Sequence, residues 1–512
     1  MSSTPVLIWT KVLGSSTYNQ GTTLSTGIDG SIYISGGKLN NSSTDAYLIK
    51  YTSDGTKVWT KLLGTTGEDY SSAVVTGLDG SIYIAGSAGG SLDAQIYAGN
   101  TDAFLTKFNP DGTKIWTKEL GTISIDRATA LTVGLDGSIF VAGYSLGSLD
   151  GQINSGGADA FLTKYKPDGT KLWTKLLGST GADTALGLTT GLDGSIYLSG
   201  ATTGVLDGKA NTGNFDAFVT KFNSDGLKSW TKQFGSTAED VALDVATGLD
   251  GSIYICGITL GSFDGQVNSG NYDAFLAKYS ADGTKIWTKF SGTSIEDQSV
   301  ELTIGIDGSI YMSGFTGGAL DGQQFGGMQD AFLIKYNTDG TKIWTNLIGT
   351  NQEDEAYGIT TGLDGTIYVS GYTEGSINGQ TITNADIFLA KYQVGEITVK
   401  NSVLSVIVGK GVLGADPILL KGLTESFTYT DGVNTKHTVE YSGLIFDYSQ
   451  IDSLITTVTR DGEFTSEFTK EINDYLGTEL NIPYSSAVKL VGAASIDSVI
   501  LSVAGADGNF VG

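Results

Sequence analysis

Short β-type runs recur along most of the chain, separated by stretches rich in Gly and Asp. The clearest unit occupies residues 183–235, where four runs fall at 185–190, 195–199, 216–222 and 228–234. They are rich in the β-branched and aromatic residues that suit a pleated, half-buried surface. Asp193-Gly194 separates the first two runs, and Asp225-Gly226 separates the last two. Asp-Gly is a strong hairpin signal, because glycine accepts the positive φ such turns require. Each unit therefore predicts a four-stranded antiparallel meander, with strands a, b, c and d.

The unit repeats. All seven tryptophans, Trp9, Trp59, Trp116, Trp173, Trp230, Trp287 and Trp344, stand in the d register, spaced 50 residues once and 57 thereafter. A Gly-x-Asp-Gly marker keeps step at Asp29, Asp79, Asp136, Asp193, Asp250, Asp307 and Asp364. Seven four-stranded units at this period predict an all-β, seven-bladed β-propeller. The ends of the repeat supply an independent sign of a ring. The c–d turn occurs only at Asp54, Asp111, Asp168, Asp225, Asp282 and Asp339. The missing copy falls at the cut: the chain begins with a d-type run at 6–12, and the last repeat stops after its c-type run at 386–392. The N-terminal strand is expected to complete the last blade and remove the open edge. Residues 1–393 thus predict the propeller and 394–512 a smaller β-rich (α+β) C-terminal domain.

Runs such as Asp159-Ala-Phe-Leu-Thr-Lys-Tyr165, Asp168-Gly-Thr-Lys-Leu-Trp173 and Gly191-Leu-Asp-Gly-Ser-Ile-Tyr-Leu-Ser-Gly200 resemble the bacterial SBBP family, the seven-bladed beta-propeller repeat. The resemblance covers roughly residues 5–393. It implies an architecture and no single activity. The run at 168–173 also resembles, faintly, the tryptophan motif of quinoprotein propellers, which typically have eight blades and whose cofactor site has no counterpart here.

In a meander, the tight a–b and c–d turns share one face of the disc, and the longer b–c and d–a loops share the other. The loop face is the candidate functional face, since rigid scaffolds present their binding residues on loops. Its d–a loops carry Asp69, Asp126, Asp183, Asp240, Asp297 and Asp354, with Asn19 in the first unit. Its b–c loops carry Asp150, Asn154 and Asp159, with relatives at Asp93, Asp207, Asp264 and Asp321 and an Asn378 variant. Hard cations prefer such oxygen ligands, so calcium at Asp150, Asn154, Asp159 and their repeats is one expectation. The alternative is that these residues form Asx-turns and cap strands, which the spacing favours, as it matches neither an EF-hand nor a calcium β-roll.

The tryptophans and the strand-b aromatics Tyr33, Tyr83, Phe140, Tyr197, Tyr254, Tyr311 and Tyr368 are expected to pack the blades. The Lys near the end of strand c is read as a solvated rim charge, and Cys256 as a small buried filler. No constellation of unique residues stands out from the seven units, so paired carboxylates for glycoside hydrolysis are not assigned. Near-identical blades suggest several equivalent weak sites acting by multivalency.

Composition narrows the picture. With 30 basic and 55 acidic residues, the net charge of −25 disfavours nucleic acid and anionic membranes and leaves cationic partners open. One Cys and one His, Cys256 and His437, exclude an internal disulfide and any Cys- or His-clustered metal centre. No uncharged apolar run approaches the roughly 18 residues needed to span a bilayer. The first residues lack the features of a secretory signal. Residues 394–512 predict β-runs at 402–408, 437–441 and 498–503 and one helix over 467–476, capped by Ser466 and ended by Gly477. His437 is expected on a surface strand.

The expected function is a non-enzymatic recognition or adhesion scaffold, presenting its loop face to a glycan or protein ligand. The alternatives are a polysaccharide-active hydrolase or lyase with an acidic site at the channel mouth, and a structural cell-envelope protein. The expected location is extracellular or at the cell surface, by a type I-like route using an uncleaved C-terminal address; the alternative is cytoplasmic.

Overall fold

The computed structural model describes residues 4–13, 19–40, 43–380, 382 and 385–394, together with the backbone of seven strands between residues 403 and 511. Seven four-stranded antiparallel sheets form the blades of a propeller. Blade 4 is representative, with strands Asp183–Thr190, Ile196–Thr202, Asp216–Phe222 and Lys228–Phe234 in the order a-b-c-d. The a–b turn closes with Gly194 at φ 76°, while the Asp193 carboxylate accepts a 3.0 Å hydrogen bond from the Ser195 amide. Asp shapes the turn and Gly takes the left-handed residue, which explains why the pair repeats.

Blade 7 joins the two ends of the repeat. Its strands a, b and c are Asp354–Thr361, Ile367–Thr373 and Asp386–Gln393, and Val6–Val12 pairs antiparallel with the last of these as strand d. Blade 7 then docks on blade 1: Tyr368 Oη and Lys391 Nζ both donate to the Ser53 carbonyl, and Gly55 packs against the Trp9 ring.

The core is a ring of apolar clusters between adjacent blades, exemplified by Tyr197 and Val219 of blade 4 against Val245, Ile255 and Phe275 of blade 5. Each Trp lies about 6 Å from the strand-b aromatic of its own blade, as in Phe140–Trp173 at 5.9 Å. In six blades its outer surface meets the glycine of the next blade's c–d turn, as where Gly169, at φ 84°, lies against the Trp116 ring and the Lys118 stem. Packing, rather than ligand stacking, is the role of this series.

The strand-c lysines are not solvated rim charges. Lys164 is 5% exposed, and its ammonium pairs with Asp136 at 2.9 Å and donates to the Ser224 carbonyl of the next blade at 3.1 Å. The same ion pair forms in every blade, at Lys50, Lys107, Lys221, Lys278, Lys335 and Lys391 with their a–b turn aspartates. A hydrogen-bonded partner on the turn is what permits an ammonium to be buried there.

Beyond the propeller, the sequence expectation of further β-structure is met by strands that include Val403–Val408, Lys436–Ser442 and Val499–Ala504. His437 lies on the second of these, opposite Tyr429. The expected helix over 467–476 lies outside the described residues.

Candidate functional site

The six d–a aspartates stand at the start of strand a, Asp69 one residue before it, and all are fully buried. Asp126 accepts hydrogen bonds from the Thr122 amide at 2.6 Å and hydroxyl at 2.8 Å. Asp69, Asp183, Asp240, Asp297 and Asp354 hold the amide four residues upstream in the same way. These carboxylates staple their own loops and face away from solvent. Burial raises the pKa of Asp69, Asp240, Asp297 and Asp354 against the lowering effect of these bonds.

The b–c residues are engaged separately. Asp150, at φ 49°, pairs with Lys171 of strand d at 2.6 Å and accepts from the Thr174 hydroxyl. Asp93, Asp207, Asp264 and Asp321 repeat the ion pair with Lys114, Lys228, Lys285 and Lys342. In blade 7 the lysine position is Leu7, and the aspartate is correspondingly Asn378, which donates to Thr10 at 2.9 Å. Asn154 bonds the Ser145 and Gly157 carbonyls and the Gly156 amide. Asp159 is fully buried and accepts from the Ser155 amide at 2.9 Å. Among the described residues, no group of three or more His, Cys, Asp or Glu side chains is poised to hold a metal ion. The loop tips present apolar side chains instead, with Ile96, Ile153 and Val267 at 89%, 82% and 76% exposure.

A different site lies on the propeller axis. Strand a of every blade lines a central cavity of about 790 Å³, with contributions such as Thr23, Ser72, Thr129, Leu186, Leu243, Val300 and Tyr357. In each a–b pair a β-bulge at the fourth residue of strand a shifts the register, as between Ala128 and Ala130. Bulges re-aim side chains, and here the next position faces the cavity in most blades. That fifth position reads Thr23, Ala73, Ala130, Gly187, Asp244, Glu301 and Gly358. It is small in five blades and acidic in the adjacent blades 5 and 6, whose a strands are Asp240–Thr247 and Asp297–Ile304.

Each acid reaches one blade onward for a backbone anchor. Asp244 Oδ2 accepts from the Leu302 amide at 3.0 Å, and Glu301 Oε2 accepts from the Ile359 amide at 2.8 Å. Burial pushes the Asp244 carboxyl up from 3.8 to about 7. The Glu301 carboxyl is also raised, by burial first and then by the negative charge of Asp244. Both side chains are walled in by protein yet keep part of their surface open to the lumen.

The cavity wall carries further departures from the repeat. Arg127, the single arginine of residues 5–393, stands at the second position of strand a in blade 3, near the loop-face mouth. Tyr70, Tyr144, Tyr357 and Tyr372 line the same mouth. Glu355 accepts a hydrogen bond from the Tyr357 hydroxyl, and Tyr372 donates to Glu374 at 2.7 Å. The repeated markers of the units, Trp and Gly-x-Asp-Gly, lie outside the middle of strand a and so gave no sign of this constellation. Comparing each strand-a position across the seven blades exposes Asp244, Glu301 and Arg127 at once.

No family model matches the chain. It is 28% identical over 244 residues to the Regulatory protein FlaEY of Caulobacter vibrioides, covering 41% of this chain and 25% of that protein. It is 23% identical over 369 residues to the uncharacterized WD repeat-containing protein L264 of Acanthamoeba polyphaga mimivirus, covering 54% and 26%. The chain thus spans about a quarter of the length of these curated relatives. Among solved structures, it is similar to the Neurospora crassa Pan2 WD40 domain (10% identity, 78% of this chain and 98% of that one, TM-score 0.46). It is also similar to the polysaccharide lyase Uly1 (11% identity, 74% and 91%, TM-score 0.42). What the fold itself defines is a seven-bladed propeller, closed by its N-terminal strand, with an asymmetric axial cavity.

Proposed function

We propose that the protein is a recognition propeller whose ligand, part of a protein or glycan, enters the loop-face mouth of the central channel. The observation that carries this reading is where the seven-fold repeat breaks. A binding surface must present groups the scaffold does not need, and Arg127, Tyr144, Asp244, Glu301, Tyr357 and Tyr372 are such groups, gathered around one cavity. The loop aspartates, by contrast, are engaged in holding their own loops. Tyrosines at a mouth supply large, rigid contact area with a polar edge, which suits sugar rings and peptide side chains alike. The SBBP resemblance, a bacterial source and display at the cell surface belong to the same proposal.

The test is a Tyr144→Ala/Tyr372→Ala variant compared with wild type on a glycan array and an array of peptides. Signals present in wild type and lost in the variant support the channel mouth. Signals lost instead in an Ile96→Ser/Ile153→Ser/Val267→Ser loop-tip variant would move the site to the rim. The adjacent carboxylates Asp244 and Glu301 favour a second reading, polysaccharide hydrolysis or lysis, since two acids in one cavity can divide acid and base roles. Turnover of a polysaccharide abolished by Asp244→Asn would establish that reading.

A further inference from the structure

We propose that the channel wall between Asp244 and Glu301 is a binding site for an organic cation, a primary ammonium or guanidinium group on an apolar stem, entering from the loop face. This deepens the channel reading and rests on it.

The acids are not part of the scaffold's needs. Five blades close with Thr, Ala or Gly at this position, and hydroxyl pairs further along strand a, such as Thr132–Thr190 and Thr303–Thr361, both at 3.1 Å, join neighbouring blades with or without an acid. The backbone anchors on Leu302 and Ile359 fix how the two carboxylates stand, and Glu301 Oε1 has no hydrogen-bond partner among the described residues. Two carboxylates in a walled space disfavour each other's ionisation, and a positive charge between them removes both the repulsion and much of the desolvation cost.

Among the described residues, none places such a charge between the two carboxylates. The strand-c lysines are paired on the tight-turn face, and those at 114, 171, 228, 285 and 342 are paired with the b–c loops. Arg127 is the one cation among the residues lining the cavity. It sits three positions nearer the mouth and two blades away, about 10 Å higher along the strand direction alone.

The surroundings select the kind of cation. Calcium takes six to eight oxygen ligands, whereas the side chains beside the acids are Leu186, Leu188, Leu243 and Val300. An alkyl stem buries against such a wall while its charged end reaches the carboxylates. Above them, the Tyr357 and Tyr372 rings mark an attractive route from the mouth.

Isothermal titration of the full chain with spermidine, and separately with a short uncharged-flank peptide bearing one lysine, tests the site. Either ligand is expected to bind with proton release, measured by the dependence of heat on buffer, and to bind more tightly at pH 8 than at pH 6. Tighter binding by the peptide assigns a partner's side chain, and tighter binding by spermidine a free amine; both support the cation. Asp244→Asn/Glu301→Gln, which relieves repulsion and is expected to melt no lower than wild type, should weaken binding about thirtyfold or more. Absence of binding by both ligands, or binding indifferent to the double substitution, overturns the proposal, as does saturable binding of calcium chloride that blocks both. An uncharged oligosaccharide that loses affinity in Tyr144→Ala/Tyr372→Ala and keeps it in the acid double variant would overturn the cation alone and leave the channel reading standing.

Discussion

The residue scale shows how little the repeat tolerates an unmatched charge. Gln233, the sixth residue of strand d in blade 4, donates to Asp216 at 3.1 Å and to the Gly204 carbonyl at 3.2 Å, and accepts from Leu206. Blade 2 has Glu119 at this position, on strand Lys114–Leu120. Glu119 accepts from the Leu92 amide at 2.6 Å, but its Oε2 and the nearby Asp102 Oδ1 are buried without partners. A carboxylate stands where an amide donor belongs. Burial, and then the charges of Asp102, Asp69 and Asp93, raise the Glu119 carboxyl above its ordinary 4.5, and the Leu92 amide opposes them. A raised acid binds its proton more tightly in the folded chain, so its contribution favours the fold at low pH and weakens as pH climbs from 4.5 through the folded value. Glu119→Gln, which restores the blade 4 arrangement, should stabilise the protein by about 1–3 kcal/mol at pH 8 and change it little at pH 4. Thermal melts at the two pH values check this, and equal shifts at both would refute it.

At the scale of the element, six of the seven junctions between blades are locked through turns, blade 7 having the N-terminal strand in place of a c–d turn. The ammonium of a strand-c lysine ties its own a–b turn to the next blade's c–d turn, while the next blade's Gly seats on the Trp, so one junction combines an ion pair, a carbonyl bond and a ring contact. Lys164→Met keeps the stem and removes the charge, taking the ammonium donor from Asp136 Oδ2 and from the Ser224 carbonyl. The expected cost is about 1–3 kcal/mol, below that of a wholly buried pair because Asp136 is 31% exposed. Chemical denaturation of Lys164→Met beside Lys171→Met, whose pair is more exposed, should show the larger loss for the first. These turns were legible in the sequence from Asp-Gly and Trp alone. The burial of Lys164 was not, because Lys-Tyr at a strand end reads as solvent-facing until the neighbouring blade is in place.

At the scale of the whole molecule, closure depends on one strand contributed from the opposite end of the propeller. Removing residues 1–12 would leave Asp386–Gln393 as a bare edge and take Trp9 from its contact with Tyr368 at 5.9 Å. The truncated chain should melt lower and self-associate, seen as larger species in size-exclusion chromatography. A monomer of unchanged stability would mean that the ring is held elsewhere. The same ring creates the axial cavity, since only closure brings strand a of blades 3, 5, 6 and 7 around one space. Near-identity of the units had pointed to repeated peripheral sites, yet the folded ring gathers its exceptions on the axis.

Sequence alone determined the repeat, the four strands of each unit, the two faces and the closing strand, because local turn chemistry and the Trp register act within one unit or its neighbour. It also marked Asp69, Asp150 and their repeats, leaving calcium coordination and the capping of turns and strands as the two readings. Only the tertiary structure decided that these carboxylates hold loops, that the strand-c lysines are buried, and that Asp244 and Glu301 share a cavity. Burial and charge coupling arise between blades, across a separation of 57 residues that no local pattern spans.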